Sequence, residues 1–245
     1  MADEAVQQLL DGFVTSIRSV LPVRAVWVHG SLALGDFVLG RSDFDLIAVL
    51  ESPVVDPAPL IEVHRGLIKV TPLAAKLHCT YVPVGDLGDA RQRHPTFAQG
   101  RYVDRPVTPV GWRELTLGDL SCYGPPPSSL LAATSDEELA AFIRQDLREF
   151  WYPVTAKRLP WRRDIWVDLG LVTFARAATT LAAQRLITKR EALDLLPSLG
   201  APAAVVRDIE ARRYGPAARV PLRWRIERAG LTRAFLRTEI PLVVS

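Results

Sequence analysis

Apolar residues recur at Val6, Leu9, Leu10, Phe13, Val14, Ile17, Val20 and Leu21, at spacings of three and four. That period predicts one amphipathic helix ending before Pro22. Ala25-Val-Trp-Val28 is a short β-rich run followed directly by Gly30-Ser31. After a glycine-containing stretch, Phe44 to Leu50 is a second apolar strand, residues 59–70 read as helix, and Leu77 to Val84 is a third strand. The first third is therefore helix, strand, turn, strand, helix, strand, an α/β or α+β pattern. Pro106, Pro109 and Gly111 punctuate the middle, and Gly124-Pro-Pro-Pro127 marks the domain boundary. Beyond it strand patterns vanish. Helical periodicity returns over residues 136–150, 164–186, 189–196, 202–213 and 222–238, with Ser135 and Glu138 as a helix-start signature. The expected organisation is an α/β domain over residues 1–125 and an all-α domain over residues 126–245.

Composition sets the class. With 49% hydrophobic and 23% charged residues among 245, the chain can bury a real core. Two cysteines, Cys79 and Cys122, cannot build a disulfide framework and fit a reducing compartment. The first ten residues carry Asp3 and Glu4 and no basic residue, so no leader is expected. No apolar run approaches the ~20 residues that span a bilayer, so a cytoplasmic protein with no membrane partner is expected. Charge is uneven. Residues 1–130 hold 11 Lys and Arg against 14 Asp and Glu, a net −3, and the remainder holds 19 against 13, a net +6. A basic half suits phosphate, a nucleotide or another anionic partner, or is a solvated arginine-rich helical surface.

The chemistry concentrates between Trp27 and Leu50. A strand delivers Gly30 and Ser31 at its end, and Asp43 and Asp45 flank Phe44 where the next strand starts. Side chains alternate along a strand, so the two aspartates point one way while Phe44 and Leu46 point into the core. Two such carboxylates repel unless a cation lies between them, and hard oxygen ligands suit Mg²⁺, which binds one or two carboxylates plus substrate phosphates. Gly30 lets a backbone approach phosphate, Ser31 offers a hydroxyl beside backbone N–H groups, and Arg41 and Ser42 stand next to Asp43. A Gly-Ser alone is a turn and an Asp-x-Asp alone is a loop edge; in this order, between strands, they point to a phosphate-and-metal site.

These residues resemble the signature of the nucleotidyltransferase superfamily. The resemblance implies a mixed-sheet catalytic domain that binds NTP and Mg²⁺ and transfers a nucleoside monophosphate, releasing pyrophosphate. A second resemblance extends over much of the chain, to the aminoglycoside nucleotidyltransferases that adenylylate streptomycin and spectinomycin and carry a C-terminal helical domain. Gly124-Pro125, Leu171-Val-Thr-Phe-Ala-Arg176 and Leu186-Ile-Thr-Lys-Arg-Glu-Ala192 carry it. It implies ATP as donor, a small-molecule hydroxyl acceptor of aminoglycoside type, and Lys189 on the triphosphate. The chain departs from that family on the third strand, where a third carboxylate is expected as general base or metal ligand. Aligning Leu77-His-Cys-Thr-Tyr-Val82 with that strand puts His78 there. Either His78 is the base, or a displaced carboxylate such as Asp86 or Asp89 serves, or the site is weakened.

Smaller expectations complete the reading. Trp112, Trp151, Trp161 and Trp166 are cleft-wall or core aromatics. Asp164 and Asp168 are either contacts for a cationic acceptor or helix caps and surface pairs. His64 and His94 show no ligand spacing, so no zinc site is expected. Three functions compete: AMP transfer to a small molecule, the same chemistry on protein or RNA, and a nucleotide-binding regulatory protein that has lost efficient transfer. No recognised nucleic-acid motif favours RNA.

Overall fold

In the computed structural model, which describes residues 4–216 and 220–245, the chain divides into two units, Met1–Ser135 and Asp136–Ser245. The first is an α/β unit around a mixed sheet and the second is helical.

The first unit opens with helix α1 (Glu4–Arg18), which buries Val6, Leu9, Leu10, Phe13, Val14 and Ile17 on one face. Strand β1 (Val23–His29) follows, then the short helix α2 (Gly30–Ala33) and β2 (Phe44–Leu50). Helix α3 (Ala58–Val70) and a 3-10 turn (Pro72–Lys76) cross over to β3 (Leu77–Pro83), which runs parallel to β2. Parallel neighbours require such a crossover. Strand β2 is buried on both sides. Phe44, Leu46 and Ala48 join Val26, Val28, Cys79 and Tyr81 on the α1 and α3 face. Ile47 and Val49 join Ala25, Trp27, Val82, Trp112 and Leu115 on the opposite face. A strand covered on both faces reads as a continuous apolar run, which made it legible.

Four elements carry no such run. They are β4 (Arg93–Ala98), β5 (Arg101–Pro106), α4 (Pro109–Gly118) and β6 (Leu120–Tyr123). The sheet order is β5-β4-β3-β2-β1-β6, so β5 and β6 are edges and β5 is largely exposed. Edge strands need no alternation, and β4 carries Pro95. The hairpin between β4 and β5 turns through Gln99 (φ 52°) and Gly100 (φ 71°), both left-handed, as a tight two-residue connection requires. The unit runs to Ser135, past the Gly124-Pro-Pro-Pro127 run. Trp27 Nε1 donates to the Pro125 carbonyl at 2.8 Å, and Leu131 packs in the core with Trp112. Both cysteines are free, and burial pushes their thiols up, Cys79 to about 12 and Cys122 to about 11.

The second unit begins with α5 (Asp136–Asp146), which passes through a π turn (Leu147–Trp151) into α6 (Tyr152–Val154). Pro153 has no N–H to offer the carbonyl four residues back, which favours the wider turn. Helices α7 (Asp164–Ala183), α8 (Lys189–Leu195), α9 (Ala203–Tyr214) and α10 (Leu222–Val244) complete it. Helix α10 continues through Pro241 beyond the expected end at residue 238, with Ile240 and Val244 buried and the Arg148 guanidinium on the Val244 carbonyl. The expectation that no apolar run reaches bilayer-spanning length needs correcting: α7 is long and apolar enough by length and composition. Half of that span is buried inside the structure, and it carries Asp168, paired with Arg212. Its ordinary role is that of a core helix.

An ion-pair network joins α7, α9 and α10. Arg212 grips Asp168 with Nη2 at 2.6 Å and Nη1 at 2.8 Å. Asp208 accepts from Arg212, from Trp224 Nε1 at 2.9 Å and from Arg228 Nη1 at 2.6 Å, and Arg228 also pairs with Asp164. Burial works to raise the Asp208 carboxyl, but its donors prevail and hold it low. At Asp168 burial dominates and raises it despite Arg212. Arg228 is fully buried, so its removal leaves two carboxylates short of a partner. Arg228→Met is expected to cost about 3–5 kcal/mol in urea unfolding, the range for breaking a buried pair. Asp164→Asn, at a side chain 41% exposed, is expected to cost under about 1 kcal/mol.

Under the sheet, His64 lies 2.8 Å from Tyr81 Oη and stacks on Phe97. Burial, with the nearby His78, pushes its imidazole down to about 3. An unfolded chain binds that proton near 6.5. Between these values the unfolded state holds one proton more, so this contribution is complete above pH 6.5 and declines as pH falls towards 3. The wild type is expected to lose about 2 kcal/mol more than His64→Gln between pH 7.5 and pH 5, at about 1.4 kcal/mol per unit. Urea titrations at the two pH values measure the difference.

Candidate active site

The site forms where β1 ends and β2 and β3 begin. The antiparallel β1–β2 register sets His29 opposite Asp45, and the parallel β2–β3 register sets Asp45 opposite His78. Three polar side chains therefore stand in one row across three strands, on the face that α4 covers.

Gly30 makes room in that row. It has a left-handed backbone (φ +65°), and a Cβ placed on it would lie 2.7 Å from Asp45 Oδ2. The glycine is thus demanded twice, by its own conformation and by the carboxylate packed against it. The other carboxylate oxygen, Asp45 Oδ1, is 3.5 Å from His78 Nδ1, and Asp43 Oδ2 is 4.0 Å from the same nitrogen. His78 is 8% exposed and lies against both aspartates. Lys76, at the end of the 3-10 turn, sets its Nζ 3.4 Å from Asp43 Oδ1 and donates to the Arg41 carbonyl at 2.8 Å.

The loop before Asp43 is shaped by its own hydrogen bonds. The Ser31 carbonyl accepts from Asp36 N at 2.9 Å. Ser42 closes the turn from Val38: its Oγ accepts from Val38 N at 3.0 Å and its N–H donates to the Val38 carbonyl at 2.8 Å. Arg41 is exposed. Gly30, Ser31, Arg41, Ser42, Asp43, Asp45 and His78 are therefore gathered at one end of the sheet. Lys189 belongs to the second unit, where it opens α8 behind the Thr188 cap.

Several expected residues have other places. Asp86 and Asp89 follow the far end of β3, whereas His78 is near its start, so neither supplies a displaced carboxylate beside Asp43 and Asp45. Asp89 pairs with Arg91 instead. Trp112, Trp151 and Trp161 are core residues, and Trp166 stacks at the edge of the Trp151–Trp161 cluster with Phe150. Asp164 and Asp168 are engaged by Arg228 and Arg212. Three residues were missed by sequence reasoning. Lys76 is one. The others are His29 and Glu114 on α4, with His29 Nδ1 3.8 Å from a Glu114 carboxylate that is only 7% exposed. A threonine cap followed by a proline, Thr108-Pro109, marks the helix that carries Glu114. Among the described residues, no group of three or more His, Cys, Asp or Glu side chains is gathered for metal binding.

No protein-family model matches the sequence, and no curated protein matches it. The fold does have a match. A crystal structure of the spectinomycin adenyltransferase AAD(9) from Enterococcus faecialis, solved with ATP and spectinomycin, superposes with a TM-score of 0.70. The match covers 96% of this chain and 98% of that one at 13% identity. The chain has an aminoglycoside adenylyltransferase-like nucleotidyltransferase fold.

The Gly30–Asp45 contact yields a stability test. Gly30→Ala is expected to destabilise by more than the ~1–2 kcal/mol of a left-handed alanine, because its Cβ also meets the carboxylate. In an Asp45→Ala background the excess is expected to vanish. A double-mutant cycle by urea unfolding measures that coupling; identical costs in both backgrounds would separate the glycine from the carboxylate.

Proposed function

We propose that the protein is an adenylyltransferase that moves AMP from Mg-ATP to a hydroxyl of a small molecule of aminoglycoside type. The observation that carries this reading is the convergence of Asp43, Asp45 and His78 beside Gly30-Ser31 at one end of the sheet. The neighbour's ATP and spectinomycin support the choice of donor and acceptor class.

Each residue has a task in this reading. Asp43 and Asp45 hold Mg²⁺, an ion that completes its shell with phosphate and water rather than with a full set of protein ligands. When bound, the ion neutralises the triphosphate and polarises the phosphoryl group under attack. Gly30 and Ser31 face a phosphate with backbone N–H groups and a hydroxyl, while Ser42 holds the loop that presents Asp43. Arg41 adds positive charge for the polyphosphate. His78 receives the proton of the acceptor hydroxyl, the task a third carboxylate has in the enzymes the sequence resembles. One observation favours a second reading, a nucleotide-binding protein with weak transfer: His78 and Lys76, both basic, crowd the two carboxylates.

Asp43→Asn and Asp45→Asn are expected to abolish metal-dependent AMP transfer while keeping the circular-dichroism spectrum. His78→Ala is expected to lower kcat by about 100-fold or more. Unchanged turnover in His78→Ala would place the proton acceptor elsewhere. A His78→Glu variant faster than wild type would favour the weak-transfer reading. Labelled ATP offered with streptomycin, spectinomycin, RNA and the protein itself identifies the acceptor; label on RNA or protein alone would overturn the small-molecule assignment.

A further inference from the structure

We propose that Lys76 is a nucleotide-binding residue of this site: it is the internal counter-ion of Asp43 in the free protein and a ligand of the polyphosphate once nucleotide arrives. The inference rests on the functional reading above and adds a residue and a binding order to it.

The geometry begins with the turn. Pro72 opens a 3-10 segment whose Ala74 is buried at 2% exposure, and that anchor delivers Lys76 directly before β3. The lysine thus shares the end of the sheet with His78. Its Nζ is held at two points, the Arg41 carbonyl at 2.8 Å and Asp43 Oδ1 at 3.4 Å. An ammonium has three N–H donors, so these contacts leave capacity for a further acceptor. The side chain is 34% exposed, so a ligand can reach it.

The charges then set the order of binding. Without nucleotide, Lys76 offsets part of the repulsion between Asp43 and Asp45. A divalent cation arriving alone meets a carboxylate already paired and a fixed positive charge beside it, which weakens its binding. A polyphosphate brings the negative charge that both the ion and Lys76 need. Metal alone therefore binds poorly, and metal with nucleotide binds well. Neutralising Lys76 must push these two affinities in opposite directions. A lysine that merely braced the Arg41 loop would weaken both or neither.

The test uses the full chain and two probes: Mn²⁺ alone, followed by electron paramagnetic resonance, and Mg-ATP, followed by calorimetry. In Lys76→Met, Mn²⁺ is expected to bind several-fold tighter and Mg-ATP about tenfold weaker, the scale of one charge-assisted phosphate contact. Lys76→Arg, which keeps the charge, is expected to restore most of the ATP affinity and to reverse the tighter Mn²⁺ binding. Both affinities falling together, or neither moving in Lys76→Met, would overturn the role of Lys76 while leaving the adenylyltransferase reading in place. A wild-type protein that binds neither Mn²⁺ nor Mg-ATP would overturn both.

Discussion

Two carboxylates two residues apart, one just before β2 and one on it, both facing His78, repel each other, and this repulsion is the constraint around which the first unit is arranged. Asp43 and Asp45 stand where β2 begins, too close to be ignored in a half-buried setting. The protein answers with geometry. Asp45 is wedged against the bare Cα of Gly30, His78 faces both carboxylates, and Lys76 holds Asp43 from the loop side. None of these partners closes on the pair as a tight hydrogen bond; the distances run from 3.4 to 4.0 Å. Two carboxylates that are both partly open to solvent are suited to receive a cation with its own ligands.

That arrangement depends on strand register more than on any one contact. The β2–β3 pairing is parallel, so the crossover through α3 sets which β3 residue meets Asp45. A slip of one residue would turn His78 away and bring a core side chain to the row. The apolar residues that alternate with the site, Phe44, Leu46, Leu77 and Cys79, are all buried against α1 and α3 and fix that register. The His64–Tyr81 pair lies in the same layer. Burial of the site's neighbours and placement of its polar groups are thus two faces of the same alternation.

This explains what the sequence made legible. Gly30-Ser31 and Asp43-x-Asp45 could be read because their chemistry requires strand ends, and strands buried on both faces announce themselves. His78 followed from counting along a strand whose identity was plain. Lys76, Glu114 and His29 could not be found that way. Lys76 depends on a 3-10 turn that follows a crossover, and Glu114 sits on α4, in a stretch without periodic signal. The exposed β5 and the proline-bearing β4 obey edge rules, not core rules. In the second unit the helices were legible from period alone, and their differences lie at the ends, where caps such as the left-handed Gln184 set the boundary.

The charge asymmetry takes on a different meaning once the side chains are placed. The second half holds more Arg and Lys than acid, yet Arg212 and Arg228 face inward on Asp164, Asp168 and Asp208. These two arginines meet three aspartates in the interior, so the network adds no positive charge and the basic surplus of this half lies on residues outside it. The same pairing occupies Asp164 and Asp168, the acids that composition offered for a polycationic acceptor. Asp168, whose side chain is 11% exposed, cannot be withdrawn from Arg212 to bind a ligand without breaking a buried pair, at a cost of several kcal/mol, whereas the more exposed Asp164 leaves Arg228 still paired with Asp208. Of the two acids, Asp168 is therefore the one committed to the interior.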